Sequence, residues 1–334
     1  MRNAPTGRMD SRLEALRRWL AAQLGHSDFS LAPASEDASF RRYFRARLPD
    51  GRSYVVMDAP PEKEDCRPFV HVARLLRAAG LNAPEVHAQD EAQGFLLLTD
   101  LGTRSYLQAL DERSAAPLMR DATEALVRWQ LATRAGMLPP YDEALLRREM
   151  ELFPEWYLGR HLGLRLSQAQ RAELDAALYR LAASALAQPA VFVHRDYMPR
   201  NLMVCEPNPG VLDFQDAVLG PISYDIVSLL RDAFISWDEE RVLDWCVRYW
   251  EAARRAALPV DADFAAFWRS FEWMGLQRHL KVLGIFARLN YRDGKEKYLE
   301  DTPRFVGYAR AVARRYAELA PLARLFERIE AQAA

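Results

Sequence analysis

A polar loop wedged between short apolar runs constrains this chain more than any other feature. Val191, Phe192 and Val193 lead into His194-Arg195-Asp196-Tyr197-Met198-Pro199-Arg200-Asn201, and Leu202, Met203 and Val204 resume the apolar pattern directly after it. A turn through Pro207-Asn208-Pro209-Gly210 then delivers Val211-Leu212-Asp213-Phe214. Short apolar runs bounded by turn residues read as buried strands. The segment therefore predicts a hairpin that presents Asp196, Asn201 and Asp213 at strand ends. Carboxylates beside apolar runs are costly unless a cation or hydrogen bonds compensate them. One carboxylate and one amide suit Mg²⁺, which takes hard oxygen ligands and few of them from protein. A second carboxylate kept off the metal can orient and deprotonate a hydroxyl. That division of labour is what phosphoryl transfer requires.

The rest of the chain divides around this loop. Before it, apolar residues at 13, 16, 19, 20 and 24 recur at helical spacing. Residues 43–48 and 54–57 flank Pro49-Asp50-Gly51 as a hairpin, 69–79 returns to helical spacing, and 94–99 is a compact apolar strand. After Gly102 the pattern is helical over 115–134, 142–161, 167–187, 224–234, 239–256, 264–289 and from 304 onward, with strands at 191–193, 201–204 and 210–214. This is an α+β plan in two parts: a small antiparallel-sheet lobe over residues 1–102 and a larger, mainly helical lobe over 103–334.

Composition excludes several classes. The 334 residues carry 45 Lys and Arg against 46 Asp and Glu, a formal net charge of −1, so no bulk field draws the chain to nucleic acid or a membrane surface. Three scattered cysteines, Cys66, Cys205 and Cys246, form no CxxC pair and suggest neither a disulfide framework nor a thiolate zinc site. Charges interrupt the first twenty residues, unlike a signal peptide, and the uncharged run 181–193 is too short to span a bilayer. The expectation is a cytoplasmic protein with no nucleic-acid, membrane or obligate protein partner. No G-x-x-x-x-G-K-[ST] and no G-x-G-x-x-G occurs, so a P-loop and a dinucleotide fold do not compete.

The run His194 to Asn201 resembles the catalytic loop of protein kinases, and Asp213-Phe214-Gln215 resembles their magnesium-binding segment. The match is nearest to the aminoglycoside and choline kinase branch, which writes these motifs as H-x-D-x-x-x-x-N and hydrophobic-Asp-aromatic. The resemblance implies a bilobal protein-kinase-like fold with ATP and Mg²⁺. Asp196 would be the catalytic base, Asn201 and Asp213 the metal ligands, and His194 a brace for the loop. The stretches 55–61, 64–70 and 211–217 are similar to a narrower group, the bacterial anomeric kinases of N-acetylmuramate and N-acetylglucosamine that act in peptidoglycan recycling. That resemblance implies ATP-dependent phosphorylation of the C1 hydroxyl of an amino sugar.

The first lobe departs from the wider family. The turn Ser35-Glu36-Asp37-Ala38-Ser39-Phe40-Arg41-Arg42 has no glycine, and Met57 stands where the family places its phosphate-pairing lysine. The expected ATP contacts are Ser35, Ser39 and Phe40 on the turn, Arg41 or Arg42 as the replacement charge, and the linker Thr99-Asp100-Leu101 for adenine. Lys63 is a further source of charge. For the acceptor, Trp156, Arg278 and Arg292 fall where this family builds its pocket. The excess of basic residues over 278–297 suits a neutral or anionic acceptor rather than a polycation. Two other readings stand beside this one: a kinase for an aminoglycoside or choline, and a catalytically inactive binding module, which the absent lysine and glycines would favour.

Overall fold

The computed structural model describes residues 6–35 and 40–333. The elements run α1 (Thr6–Leu24), β1 (Ser30–Ser35), β2 (Arg42–Arg47), β3 (Ser53–Asp58), α2 (Arg67–Ala78), β4 (Val86–Asp90), β5 (Phe95–Thr99), α3 (Tyr106–Ala109), α4 (Ala115–Leu131) and α5 (Glu143–Leu152). A π-helical segment Phe153–His161 continues α5, followed by α6 (Gln168–Leu186), β6 (Ala190–Val193), β7 (Leu202–Met203), β8 (Gly210–Val211) and β9 (Val218–Pro221). The chain closes with α7 (Tyr224–Leu230), α8 (Glu239–Arg255), α9 (Phe264–Asp293), α10 (Thr302–Arg315) and α11 (Ala320–Ala333). These form two compact units. One comprises Met1–Arg104 with Met203–Asp216, the other Ser105–Leu202 with Ala217–Ala334.

The first unit is built on an antiparallel sheet in the order β1-β2-β3-β5-β4. Its hairpin β2–β3 closes where the sequence places Pro49-Asp50-Gly51. Gly51 takes φ 88°, a conformation open to glycine at little cost, and donates to the Leu48 carbonyl at 3.1 Å. Side chains alternate across a strand, and here the two faces separate cleanly. Phe44, Ala46, Val56, Phe95 and Leu97 pack against Leu16, Trp19 and Leu20 of α1. Met57, paired with Tyr43 and Leu96, belongs to the opposite face. Strands β1 and β4 lie at the sheet edges. Their sequences SLAPAS and VHAQD lack an apolar run because an edge strand need not bury both faces. Proline 33 is tolerated there, next to a shift in pairing register between Pro33 and Ser35.

The second unit is organised around α9, thirty residues long. It runs beside α5, the π-helical segment, α6 and α10. Gly284 makes that approach possible, since a Cβ added there would lie 2.4 Å from the carbonyl carbon of Leu152 at the end of α5. Strands β6 and β9 pair antiparallel, with Val191 opposite Gly220 and Val193 opposite Val218. Among the described residues, no helix is long and apolar enough to cross a membrane.

Gly284→Ala tests this packing. In an open helix the change gains about 1 kcal/mol of helix propensity. Here it forces α9 against backbone, and overpacking of this kind costs about 1–3 kcal/mol. A lowered urea midpoint is expected; a raised one would show that α9 and α5 are not in close contact at this point.

Candidate active site

The polar loop is held from beneath by a buried carboxylate. Strand β6 is buried because β9 pairs along it, and the strand ends at His194, which is also buried. The backbone N–H groups of His194 and Arg195 both donate to Asp225, at 2.7 and 3.0 Å to its two oxygens. Asp225 lies in the first turn of α7 and is fully buried. Burial pushes its carboxyl up to about 7, while the two N–H groups and the charge of Arg278 pull in the other direction. Between these contacts Arg195 stands at φ 76°, a left-handed conformation that non-glycine residues rarely adopt. Its guanidinium reaches Glu149 of α5, whose carboxylate is also 2.9 Å from Lys281 Nζ of α9 and accepts the Tyr141 hydroxyl. Lys281 in turn donates to the Tyr224 hydroxyl at 3.1 Å.

Asp196 follows this anchor and is partly exposed. Its N–H donates to His194 Nδ1 at 3.3 Å, and its carbonyl accepts the Met198 N–H and Asn201 Nδ2, each at 2.9 Å. The hydrogen bond from Nδ2 fixes which way the Asn201 amide points, so its oxygen is the end turned away from the Asp196 carbonyl. Tyr197, buried, donates its hydroxyl to the Ala122 carbonyl at 2.8 Å and pins the loop to α4. Four successive interactions thus fix the backbone on either side of one carboxylate.

In the first unit, Asp213 also has a positive φ, 61°, and its Oδ1 accepts Gln215 Nε2 at 3.0 Å. Phe214 is buried against Phe69 of α2, with ring centroids 4.7 Å apart. Val211 donates to the Asn82 carbonyl at 2.8 Å, which ties this segment to the loop after α2. Taken each in its own unit, the Asn201 amide oxygen and the Asp213 carboxylate are oxygen donors of the kind a hard divalent cation takes. Arg42 is cross-strand from Asp58, and both lie on the α1 face of the sheet. Asp58 is fully buried there, accepting Arg42 Nε at 2.9 Å and Arg12 Nε of α1 at 2.7 Å. Arg45, on the Met57 face, binds Asp100 through two nitrogens and donates to the Gly102 carbonyl at 2.8 Å. Thr99 Oγ1 contacts His87 Nε2 at 3.0 Å, and Leu101 is buried. Phe40 is 59% exposed; its N–H donates to Glu64 Oε1 at 3.1 Å, and the Lys63 ammonium lies 4.3 Å from its ring. Arg41 is partly exposed just before β2. Ser35 ends β1, and Ser39 lies outside the described residues.

The three acceptor residues expected from the sequence differ sharply in setting. Arg292 is on the surface, spent on its neighbour Asp293 at 2.8 and 2.9 Å. Trp156 is partly exposed on the π-helical segment, a distortion that recurs at functional sites. Arg278 is only 2% exposed, and among the described residues its Nε and Nη1 have no hydrogen-bond partner. Its guanidinium lies 6.0 Å from the Tyr224 ring centroid. Asp232, just beyond α7, is buried as well, with Oδ2 unpartnered among the described residues and its carboxyl pushed by burial up to about 6. Buried polar atoms are normally satisfied, so Arg278 and Asp232 are set apart from ordinary core residues. The sequence reading did not single out Glu149 or Asp232. The available signal was position: Glu149 shares the buried stripe of α5 with Leu146 and Met150.

A sheet-based first unit, a mainly helical second unit and a catalytic-type loop of this construction are the marks of a kinase-like phosphotransferase. The profile of the phosphotransferase enzyme family matches residues 30–260, and the chain belongs to that family. It is 52% identical over 334 residues to a protein of Pseudomonas putida named N-acetylmuramate/N-acetylglucosamine kinase, covering 97% of this chain and 98% of that one. A protein of the same name from Neisseria meningitidis is also 52% identical, over 311 residues, with 92% of each chain covered. Among solved structures, the fold is shared with ADP-bound aminoglycoside phosphotransferase APH(2'')-Ib, at TM-score 0.60 and 16% identity over 88% of this chain and 97% of that one. It is shared as well with an ethanolamine kinase of Plasmodium vivax, at TM-score 0.64 and 9% identity over 92% and 90%. The expected α+β, protein-kinase-like architecture is therefore the observed one.

Arg42→Ala leaves the buried Asp58 carboxylate with one cation in place of two. Losing a charged partner of a buried group costs about 1–3 kcal/mol, so thermal unfolding at a lower temperature is expected. Arg42→Lys should recover only part of the loss, because an ammonium cannot repeat the forked contact. An unchanged midpoint for Arg42→Ala would show that Arg12 alone satisfies Asp58.

Proposed function

We propose that this protein is an ATP-dependent kinase that phosphorylates the anomeric hydroxyl of N-acetylmuramate and N-acetylglucosamine, acting in the cytoplasm in the recycling of cell-wall amino sugars. The observation that carries the reading is Asp196: a partly exposed carboxylate whose neighbours are immobilised through Asp225, Ala122 and Asn201. Relatives 52% identical over nearly the whole chain, named for these two sugars, support the acceptor.

In this reading Asp196 accepts the proton of the C1 hydroxyl as that oxygen bonds to the γ-phosphorus of ATP, and the bond to the β-phosphate oxygen breaks to release ADP. Asn201 and Asp213 hold Mg²⁺, which when bound neutralises charge on the phosphate oxygens. The segment 1–102 serves as the nucleotide lobe and 103–334 as the catalytic and acceptor lobe. Ser35, Ser39 and Phe40 meet the phosphates, and the backbone of Thr99-Asp100-Leu101 meets adenine. Arg41 or Arg42 supplies the charge that Met57 does not, Arg42 being the one bound to Asp58. Arg278 and Trp156 serve the acceptor. A guanidinium with two unpartnered nitrogens suits the lactyl carboxylate of N-acetylmuramate or a sugar oxygen. The exposed Arg292, paired with Asp293, contributes less.

The test offers the purified protein ATP and Mg²⁺ with N-acetylmuramate, N-acetylglucosamine, glucose, kanamycin and choline, and identifies products by phosphorus NMR. A 1-phosphate of either acetylated sugar is expected. Product from kanamycin or choline alone, or none at all, would overturn the reading. Asp196→Asn should lower kcat by about 10²-fold or more with nucleotide binding kept. Asp213→Ala should weaken Mg-ATP binding far more than adenosine binding. Arg41→Ala should cost about ten- to a hundredfold in ATP affinity or turnover, the range for one charge-assisted contact. A parent-like Arg41→Ala would return Lys63 to consideration.

A further inference from the structure

The chain places a non-glycine residue in left-handed backbone immediately before Asp196 and then surrounds that residue's side chain with buried charge. Arg195 at φ 76° could be held by its N–H bond to Asp225 alone, yet its guanidinium is also gripped by Glu149. Glu149 is buried, and among the described residues it accepts from Arg195, from Lys281 Nζ at 2.9 Å, and from the Tyr141 hydroxyl. Among the described residues, Lys281, buried on α9, makes its ion pair with Glu149 and its hydrogen bond with the Tyr224 hydroxyl. Two cations and one carboxylate in a buried place are expensive, and apolar residues of similar volume would serve stability at least as well. Buried ionic groups of this kind are best explained by a geometry they impose. The geometry at hand is the backbone of Arg195, which costs a side-chain-bearing residue about 1–2 kcal/mol relative to its preferred conformation.

We propose that Glu149 and Lys281 are positioning residues for the transfer step, a clamp on the Arg195 side chain that keeps its backbone left-handed and so aims the Asp196 carboxylate. The proposal rests on Asp196 being the base, as inferred above, and adds the residues that aim it. The clamp spans α5, the loop and α9, so three separate parts of the second unit converge on one backbone torsion. Tyr141 and Tyr224 complete it by closing the remaining oxygen of Glu149 and the ammonium of Lys281.

The experiment compares Arg195→Gly with Arg195→Ala. Both remove the same charge and leave the Glu149–Lys281 pair balanced, but only glycine adopts a positive φ without penalty. If the clamp serves the torsion, kcat of Arg195→Gly should exceed that of Arg195→Ala by about fivefold or more. The KM values for ATP and sugar should agree between the two variants. Glu149→Gln and Lys281→Met should each lower kcat by about tenfold or more while leaving ATP KM within about threefold of the parent. Adding Arg195→Gly to Glu149→Gln restores the parental charge of the cluster and should return kcat to the level of Arg195→Gly alone, whereas adding Arg195→Ala should not. Equal kcat for the glycine and alanine variants overturns the clamp, and so does a parent-like kcat for Glu149→Gln. Asp196→Asn is run alongside: a parent-like Asp196→Asn removes the base itself, whereas an inactive Asp196→Asn with equal glycine and alanine variants removes only the clamp.

Discussion

Two backbone N–H groups meeting one buried carboxylate set the conditions for the rest of the second unit. Asp225 takes the amides of His194 and Arg195 at the point where strand β6 would otherwise leave its last donors unpaired in the core. An unpaired buried amide is costly, so the carboxylate must sit there, and it must be delivered by the start of α7. That requirement fixes where α7 begins relative to the strand. Arg195 takes left-handed backbone at this point, and Asp196 just beyond it is partly exposed rather than buried. The burial that raises Asp225 toward neutrality is the same burial that makes its two hydrogen bonds strong.

The first unit solves a comparable problem on a sheet. Asp58 ends β3 on the face covered by α1, where a carboxylate would be intolerable alone, and Arg12 and Arg42 approach it from a helix and a neighbouring strand. The three side chains join α1 to the sheet at the edge of its apolar contact, where Arg12 also lies 5.0 Å from the Phe95 ring. Polar pairing thus finishes what hydrophobic packing begins: the Leu16, Trp19 and Leu20 face supplies burial, and the charged triad sets how the helix is seated.

Local signals carried much of this in the sequence. The Asp50-Gly51 turn, the apolar strand before Thr99 and the long amphipathic helices were legible because period, turn chemistry and burial agreed. The polar loop was legible for the opposite reason, since it breaks a pattern on both sides. Strands β1 and β4 were not, because edge strands of mixed polarity carry no period-two signature strong enough to read. Strand β9, Val218–Pro221, was missed because Gly220 and Pro221 look like a turn; Gly220 is in fact where Tyr141 packs close. Glu149 was invisible for a further reason. Its meaning depends on Arg195 and Lys281, and no local window contains all three. The same holds for Arg42, whose duty became apparent only from the strand register that sets it opposite Asp58.

Met57 has a consequence for chemistry done to this protein from outside. It is a fully buried thioether on the sheet face opposite α1, flanked across the strands by Tyr43 and Leu96. Amine-directed affinity labels, such as nucleotides carrying an acyl phosphate or a sulfonyl fluoride, find no amine at that position. The thioether is a weak nucleophile shielded from water, so it does not substitute for one. A labelling survey that ranks nucleotide-binding proteins by acylation of a strand lysine would pass over this chain, whatever its occupancy. An exposed amine is found at Lys63, on the turn after β3 and resting against Phe40. A tag found there would mark the contact between that turn and Phe40.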